Sequence, residues 1–162
     1  MSKLFRTTLW ILSGIGLIAF LVQTLSTFLI SPLMGLLSLL IAAILVALII
    51  YLLQRSPMWA RPARLWATLA FLWGGGVAVA LALISSGPVM QLAIGTGWVD
   101  AMMSWSGAYP EEISKATGVI FVLMSFRQLN RPWHGWMVGA VVGLGFEACE
   151  NILYGAMGAT MH

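Results

Sequence analysis

Charged residues are scarce in this sequence. Only 8% of its 162 residues are Asp, Glu, Lys or Arg, whereas 60% are hydrophobic and the mean hydropathy is +0.97. A soluble domain of ordinary composition carries about 25% charged residues, so too little polar surface is available here to cover a water-soluble globule. The composition therefore excludes a soluble protein and predicts a chain whose solvent is the lipid bilayer.

Cysteine is also scarce, and the excess of basic charge is small. The single cysteine, Cys149, excludes an internal disulfide. The net charge is only +3, and the Lys and Arg residues fall between apolar runs instead of along one face. A nucleic-acid partner is therefore not expected.

What the sequence does contain is a series of apolar runs long enough to cross a bilayer, which takes about 20 residues as a helix. They predict an all-α, polytopic membrane bundle that forms one domain over residues 1–162. The five predicted spans cover residues 8–30, 33–53, 65–85, 110–126 and 135–158. The first run is too long for a cleaved signal peptide and predicts a signal anchor.

Residues 87–108 have a different character from the five spans. They contain Pro88 together with Trp98 and Trp105. Since Trp favours the headgroup level of a membrane, this segment is predicted to be an interfacial or re-entrant helix.

Basic residues indicate the orientation of the bundle. In a five-span arrangement, seven of the eight lie on one side of the membrane; they are Lys3, Arg6, Arg55, Arg61, Arg64, Arg127 and Arg131. By the positive-inside rule the N-terminus is cytoplasmic and the C-terminus is outside. We expect an integral protein of a prokaryotic plasma membrane.

Two glycine-rich stretches predict close helix packing, because small residues let helix backbones approach each other in membranes. One is Gly74-Gly75-Gly76 in the third span. The other is the four-residue repeat of Gly135, Gly139 and Gly143 in the fifth span. Both stretches are therefore expected to face neighbouring helices.

Four of the five acidic residues fall in two short motifs within apolar sequence, where charge is costly and usually functional. The motifs are Glu111-Glu112-x-x-Lys115 and Glu147-x-x-Glu150-Asn151-x-x-Tyr154. The second spacing places its polar residues on one helical stripe. Glu112 lies 15 residues before Arg127 and Glu150 lies 15 residues after Gly135. At about 1.5 Å per helical residue, both glutamates lie roughly 22 Å from the cytoplasmic boundary of the membrane, so they can face one another.

Pro110 is predicted to begin the fourth span, which would place Glu111 and Glu112 in its first turn, where negative charge is favoured. A simpler interpretation is a surface ion pair with Lys115. Residue types alone leave three kinds of chemistry open: a divalent metal site, a pair of carboxylates that share a proton, or a path for cations or protons.

These two motifs, with Phe146 before the second, resemble those of the PrsW family of intramembrane proteases, which belongs to the wider superfamily of CAAX prenyl proteases. The resemblance covers residues 109–154. It implies hydrolysis of a peptide bond in or near a membrane span of a membrane-protein substrate.

By that resemblance the predicted catalytic residues are Glu111, Glu112, Lys115, Glu150 and Asn151. Glu112 is the preferred base because of its depth, and Lys115 would orient a carboxylate. Zinc or another divalent metal is the implied cofactor, with Glu112 and Glu150 as ligands and Glu147 as a further candidate.

In the family, further helices carry histidines that are interpreted as the remaining metal ligands, whereas this sequence stops at His162. We therefore expect it to be the N-terminal part of a longer protein; the alternative is a short homologue that lacks a complete metal site. His134 is predicted at the opposite membrane face, and His162 is not expected to be a ligand. The alternative functions are a non-catalytic scaffold that holds a partner's transmembrane span, and a cation or proton carrier. The oligomeric state stays open.

Overall fold

A computed structural model describes residues 3–158, and the chain is 88% helix with no strand in that range. The prediction of an all-α membrane bundle is confirmed. The helices are α1 (Lys3–Ile30), α2 (Pro32–Arg55), α3 (Arg64–Leu72), a π-helical segment (Trp73–Ala78), α4 (Val79–Gly95), a 3₁₀ turn (Val99–Ala101), α5 (Met102–Ser125) and α6 (Pro132–Gly158).

Because α3, the π-helical segment and α4 follow one another without a break, the described residues form five long helical rods. Four are long and apolar enough to cross a membrane: Lys3–Ile30, Pro32–Arg55, Arg64–Gly95 and Pro132–Gly155. The chain is thus an integral membrane protein. Helix α5 is the fifth rod, and its membrane crossing stays a prediction.

The helix boundaries differ from those predicted around two prolines. Pro88 lies inside α4 and Pro110 lies inside α5, so the predicted helix start at Pro110 is wrong. Residues 87–108 are divided between the end of α4, a turn and the first part of α5. Proline removes one backbone hydrogen bond from a helix, but membrane helices tolerate this when neighbouring groups satisfy the freed carbonyl. Glu111 and Glu112 therefore lie in mid-helix.

The π-helical segment is the centre of helix packing, as its three glycines predicted. A Cβ on Gly74 would overlap the carbonyl of Val142 in α6, and a Cβ on Gly76 would overlap the backbone of Gly16 in α1. Gly75 approaches α6 as well, since its Cβ would lie 2.8 Å from the carbonyl oxygen of Gly145. Extra side-chain atoms here would push three helices apart.

The predicted packing face of α6 is wrong. A Cβ on Gly139 would make only ordinary contact, 3.9 Å from Val119, and a Cβ on Gly143 would meet no atom within 4 Å. The close approach is made instead by Gly145, where a Cβ would overlap the carbonyl of Phe71 in α3. The closest packing of α6 is therefore made at Gly145 and not along the glycine repeat.

Trp73 fixes α5 against this centre. Its indole Nε1–H donates a hydrogen bond to the carbonyl oxygen of Ser114 at 3.0 Å, and the ring itself is 1% exposed. Gly118, one turn further along α5, lies directly against the ring, so a Cβ there would overlap it. The rotation of α5 about its axis is thereby set, and with it the direction in which its glutamates point.

Candidate active site

A cavity of about 230 Å³ lies between α1, α4, α5 and α6. One glutamate of each sequence motif lines it, Glu111 from α5 and Glu150 from α6. The other lining residues are Gln23, Val79, Ala82, Leu83, Ser86, Met103, Ser106, Gly107, Phe146, Leu153 and Tyr154. Most of the surface of that wall is apolar.

Glu111 reaches the cavity because of the way α5 is held. Ser114 and Gly118 are buried against Trp73, and Glu111 precedes them by three and seven residues on nearly the same helical face. Gly107, one turn earlier, leaves room for the carboxylate, since a Cβ on it would lie 4.0 Å from Oε1 of Glu111. Glu111 is consequently half-buried.

Glu150 enters the same cavity from α6. The hydroxyl of Tyr154 lies 3.5 Å from Oε1 of Glu150 and donates to it. Glu111, Glu147 and Lys115 are all close enough to Glu150 to interact with it electrostatically. The two motifs therefore meet at the seam between α5 and α6, but the residue that lines the cavity with Glu150 is Glu111 and not Glu112, which the equal-depth argument had named.

Glu112, the glutamate preferred from sequence as the base, points elsewhere. Its side chain is 72% exposed, and its Oε1 forms an ion pair with Nζ of Lys115 at 2.6 Å. Lys115 also lies over the ring of Phe146 at 4.4 Å from the centroid, which links α5 to α6. The simpler interpretation of this motif, an ion pair with Lys115, thus describes Glu112 but not Glu111.

Two further predicted site residues do not line the cavity. Glu147 and Asn151 are exposed on α6. His134 is buried at the other end of that helix, where its Nδ1 accepts a hydrogen bond from the backbone N–H of Arg131 at 3.0 Å. His162 lies outside the described residues.

The positions of these residues test whether they can hold the zinc ion that the family resemblance implied. Zinc in a catalytic site ordinarily has three protein ligands, most often His with Glu, Asp or Cys. Over residues 3–158, no group of three or more His, Cys, Asp or Glu is placed to hold a metal ion. Glu112, Glu147 and Glu150 do not form such a set, and the cavity offers two carboxylates without a histidine. The donors in this part of the chain do not fit a zinc centre.

Among the cavity residues that sequence reasoning missed is Gln23 in α1. Its amide Nε2 is buried without a hydrogen-bond partner among the described residues. Burying a polar group in this way ordinarily costs free energy, which makes the group a candidate for contact with something that enters the cavity. The signal was present in the sequence, since an amide within the long apolar run of residues 8–30 is unusual.

A helical membrane bundle with paired carboxylates facing an internal cavity is an arrangement suited to hydrolysis within the bilayer. The comparison with known families agrees, because a family model described as PrsW family intramembrane metalloprotease matches residues 61–162. The chain belongs to the PrsW family. The match begins just before α3 and includes Glu111 and Glu150, whereas Gln23 lies outside it. No curated protein and no solved structure matches the chain.

Proposed function

We propose that this chain is an intramembrane endopeptidase in which Glu111 and Glu150 carry the proton transfers. The observation that carries the proposal is their shared position on one small, mostly apolar cavity. In the proposed mechanism the two share one proton, as carboxylates in contact can. One member of the pair is then a base while the other is an acid.

Peptide hydrolysis needs both forms. The ionised carboxylate takes a proton from water as the water oxygen bonds to the scissile carbonyl carbon, and the protonated carboxyl hydrogen-bonds to the carbonyl oxygen. The C–N bond then breaks, and the leaving nitrogen takes up a proton from the pair. General acid–base catalysis of this kind contributes about 10²–10⁴-fold to a rate. No step is assigned to a metal, because the described donors do not fit one.

Gln23 is the proposed donor to the scissile carbonyl oxygen as negative charge develops on it. Its unpaired amide supports this role, and loss of one such donor typically costs about 10²–10³-fold in kcat. We expect Gln23→Leu to lower kcat by that order with little change in KM. Thr24→Val is the matched control, because the Thr24 hydroxyl already bonds to the carbonyl of Phe20 in its own helix. An equal loss of kcat in both variants would exclude the role.

The substrate we propose is a membrane protein cleaved in the outer half of a prokaryotic plasma membrane. This depth rests on the basic residues at one end of the bundle and on the positive-inside rule, which together favour a cytoplasmic N-terminus.

Cysteine labelling tests this orientation. In a Cys149→Ala background, a membrane-impermeant maleimide added to intact cells should label Thr96→Cys in the α4–α5 turn. It should not label Asn130→Cys in the α5–α6 loop. The reverse pattern would place the cavity in the cytoplasmic half.

The activity itself is tested with the full chain in liposomes together with a panel of single-span model proteins, whose cleavage products are identified by mass spectrometry. We expect products that incorporate oxygen from ¹⁸O-labelled water and that disappear with Glu150→Gln. Asp100→Asn is the matched control, since it also neutralises one carboxylate but lies in the 3₁₀ turn. Stable capture of a single-span protein, without cleavage and unaffected by Glu150→Gln, would favour the scaffold function. Glutamate-dependent proton flux without cleavage would favour the carrier.

A further inference from the structure

Positive charge is concentrated at the end of the bundle opposite the carboxylate cavity. Seven basic residues lie near the starts of α1 and α3 and the ends of α2 and α5. All five acidic residues of the chain fall within residues 100–150, in the α4–α5 turn and the parts of α5 and α6 away from this end. The only ion pair found over residues 3–158, between Lys115 and Glu112, lies in α5. This end therefore holds cations without carboxylates to balance them.

Three of these cations line a single cavity of about 440 Å³. Lys3 and Arg6 reach it from the first turns of α1, and Arg127 reaches it from just beyond α5. Leu65 and Phe126 form an apolar wall beside them; Ser125 and Gln128 complete the lining. Like charges that share a concave site repel one another unless an anion neutralises them.

Two other arginines at this end are already engaged. The Arg55 guanidinium donates to the hydroxyl of Tyr51 and lies over its ring at 4.7 Å from the centroid. Arg131 lies 5.9 Å from the ring centroid of Trp133. Neither lines the cavity that Lys3, Arg6 and Arg127 share. Lys3, Arg6 and Arg127 therefore differ from Arg55 and Arg131 in their position in the fold, because only the first three line this cavity.

We propose that this cavity binds the headgroup of an anionic phospholipid. The cavity lies at the ends of membrane helices, where lipid phosphates are found. Basic pockets between such helices bind anionic headgroups. Arg127, Arg6 and Lys3 supply charge-assisted donors to the phosphodiester. Leu65 and Phe126 pack against the glycerol and the first acyl carbons. The inference is independent of peptidase activity.

Native mass spectrometry of the full chain in neutral detergent, titrated with phosphatidylglycerol or phosphatidylcholine, tests the site. A basic residue beside an anionic headgroup contributes roughly a five-fold gain in affinity for that lipid. The double variant Arg6→Gln/Arg127→Gln should thus bind phosphatidylglycerol about 25-fold more weakly. Arg6→Lys/Arg127→Lys keeps the charge and should retain most of the affinity.

The matched control is Arg55→Gln/Arg131→Gln, which removes two charges from the same end but none from the cavity, and should leave the affinity within a factor of two or so of the original. An equal loss in both double variants would overturn the proposal, because it would indicate diffuse surface charge. Equal binding of the two lipids would overturn it too. Competition by soluble glycerol 3-phosphate as strong as that by the lipid would assign the site to a free phosphate instead.

Discussion

Glu111→Gln is expected to lower kcat/KM for cleavage of a membrane-protein substrate by about 10²–10⁴-fold, the usual effect of removing a general acid or base. The amide is nearly the same size as the carboxyl group but cannot take a proton from water. Because Glu111 lines the cavity with Glu150, the loss should fall on kcat and leave substrate binding nearly unchanged. Rates of product formation in liposomes, followed over a range of substrate concentrations, measure both quantities.

The neighbouring glutamate is the matched comparison. Glu112→Gln breaks an ion pair with Lys115 at a side chain that is 72% exposed, and exposed pairs contribute about 0–1 kcal/mol. We expect the loss of kcat/KM with Glu112→Gln to be at least ten-fold smaller than that with Glu111→Gln. A ten-fold difference in rate corresponds to roughly 1.4 kcal/mol in barrier height. A larger loss of kcat/KM with Glu112→Gln than with Glu111→Gln would mean that the base is Glu112, the residue preferred from its depth in the sequence analysis.

Gly145→Ala is expected to destabilise the bundle by roughly 1–3 kcal/mol or to prevent its assembly, as overpacking does in tightly packed interiors. The added methyl would overlap the carbonyl of Phe71, which is backbone and cannot rotate away. Gly76→Ala should act similarly against the backbone of Gly16. The free energy of unfolding in mixed micelles, followed by circular dichroism during a denaturing-detergent titration, measures the effect.

Gly143→Ala is the control for this experiment. It lies two residues from Gly145 on the same helix, but its Cβ would meet no atom within 4 Å. Alanine favours a helix interior over glycine by roughly 0.5–1 kcal/mol, so the variant should be unchanged or slightly more stable. If Gly143→Ala were as damaging as Gly145→Ala, the orientation of α6 described above would be wrong.

Much of the fold followed from composition and from the spacing of particular residues. Apolar run lengths predicted helices close to α1 and α2, and Gly74-Gly75-Gly76 indicated the close contact that the structure shows. Equal distances from the basic loop ends also predicted that the two acidic motifs lie at one depth on antiparallel helices, although they pointed to Glu112 and not to Glu111.

Other features depend on tertiary contacts that the sequence does not express. Pro110 resembles a helix start, but α5 begins earlier, at Met102, and packs against α4. Glu111 and Glu112 point about 100° apart, and the contacts of Ser114 and Gly118 with Trp73 determine which one faces the cavity. Likewise Gln23 is far from both motifs in sequence and joins them only through the position of α1.

The central claim is that Glu111, and not Glu112, faces Glu150 across the seam between α5 and α6. Thiol cross-linking tests it most directly, since the measurement needs no substrate and no activity. In a Cys149→Ala background, a short bis-maleimide is applied to the pair Glu111→Cys/Glu150→Cys and, separately, to Glu112→Cys/Glu150→Cys. Efficient intramolecular cross-linking of the first pair and little of the second is the predicted result. The opposite preference would contradict the arrangement and return the catalytic assignment to Glu112.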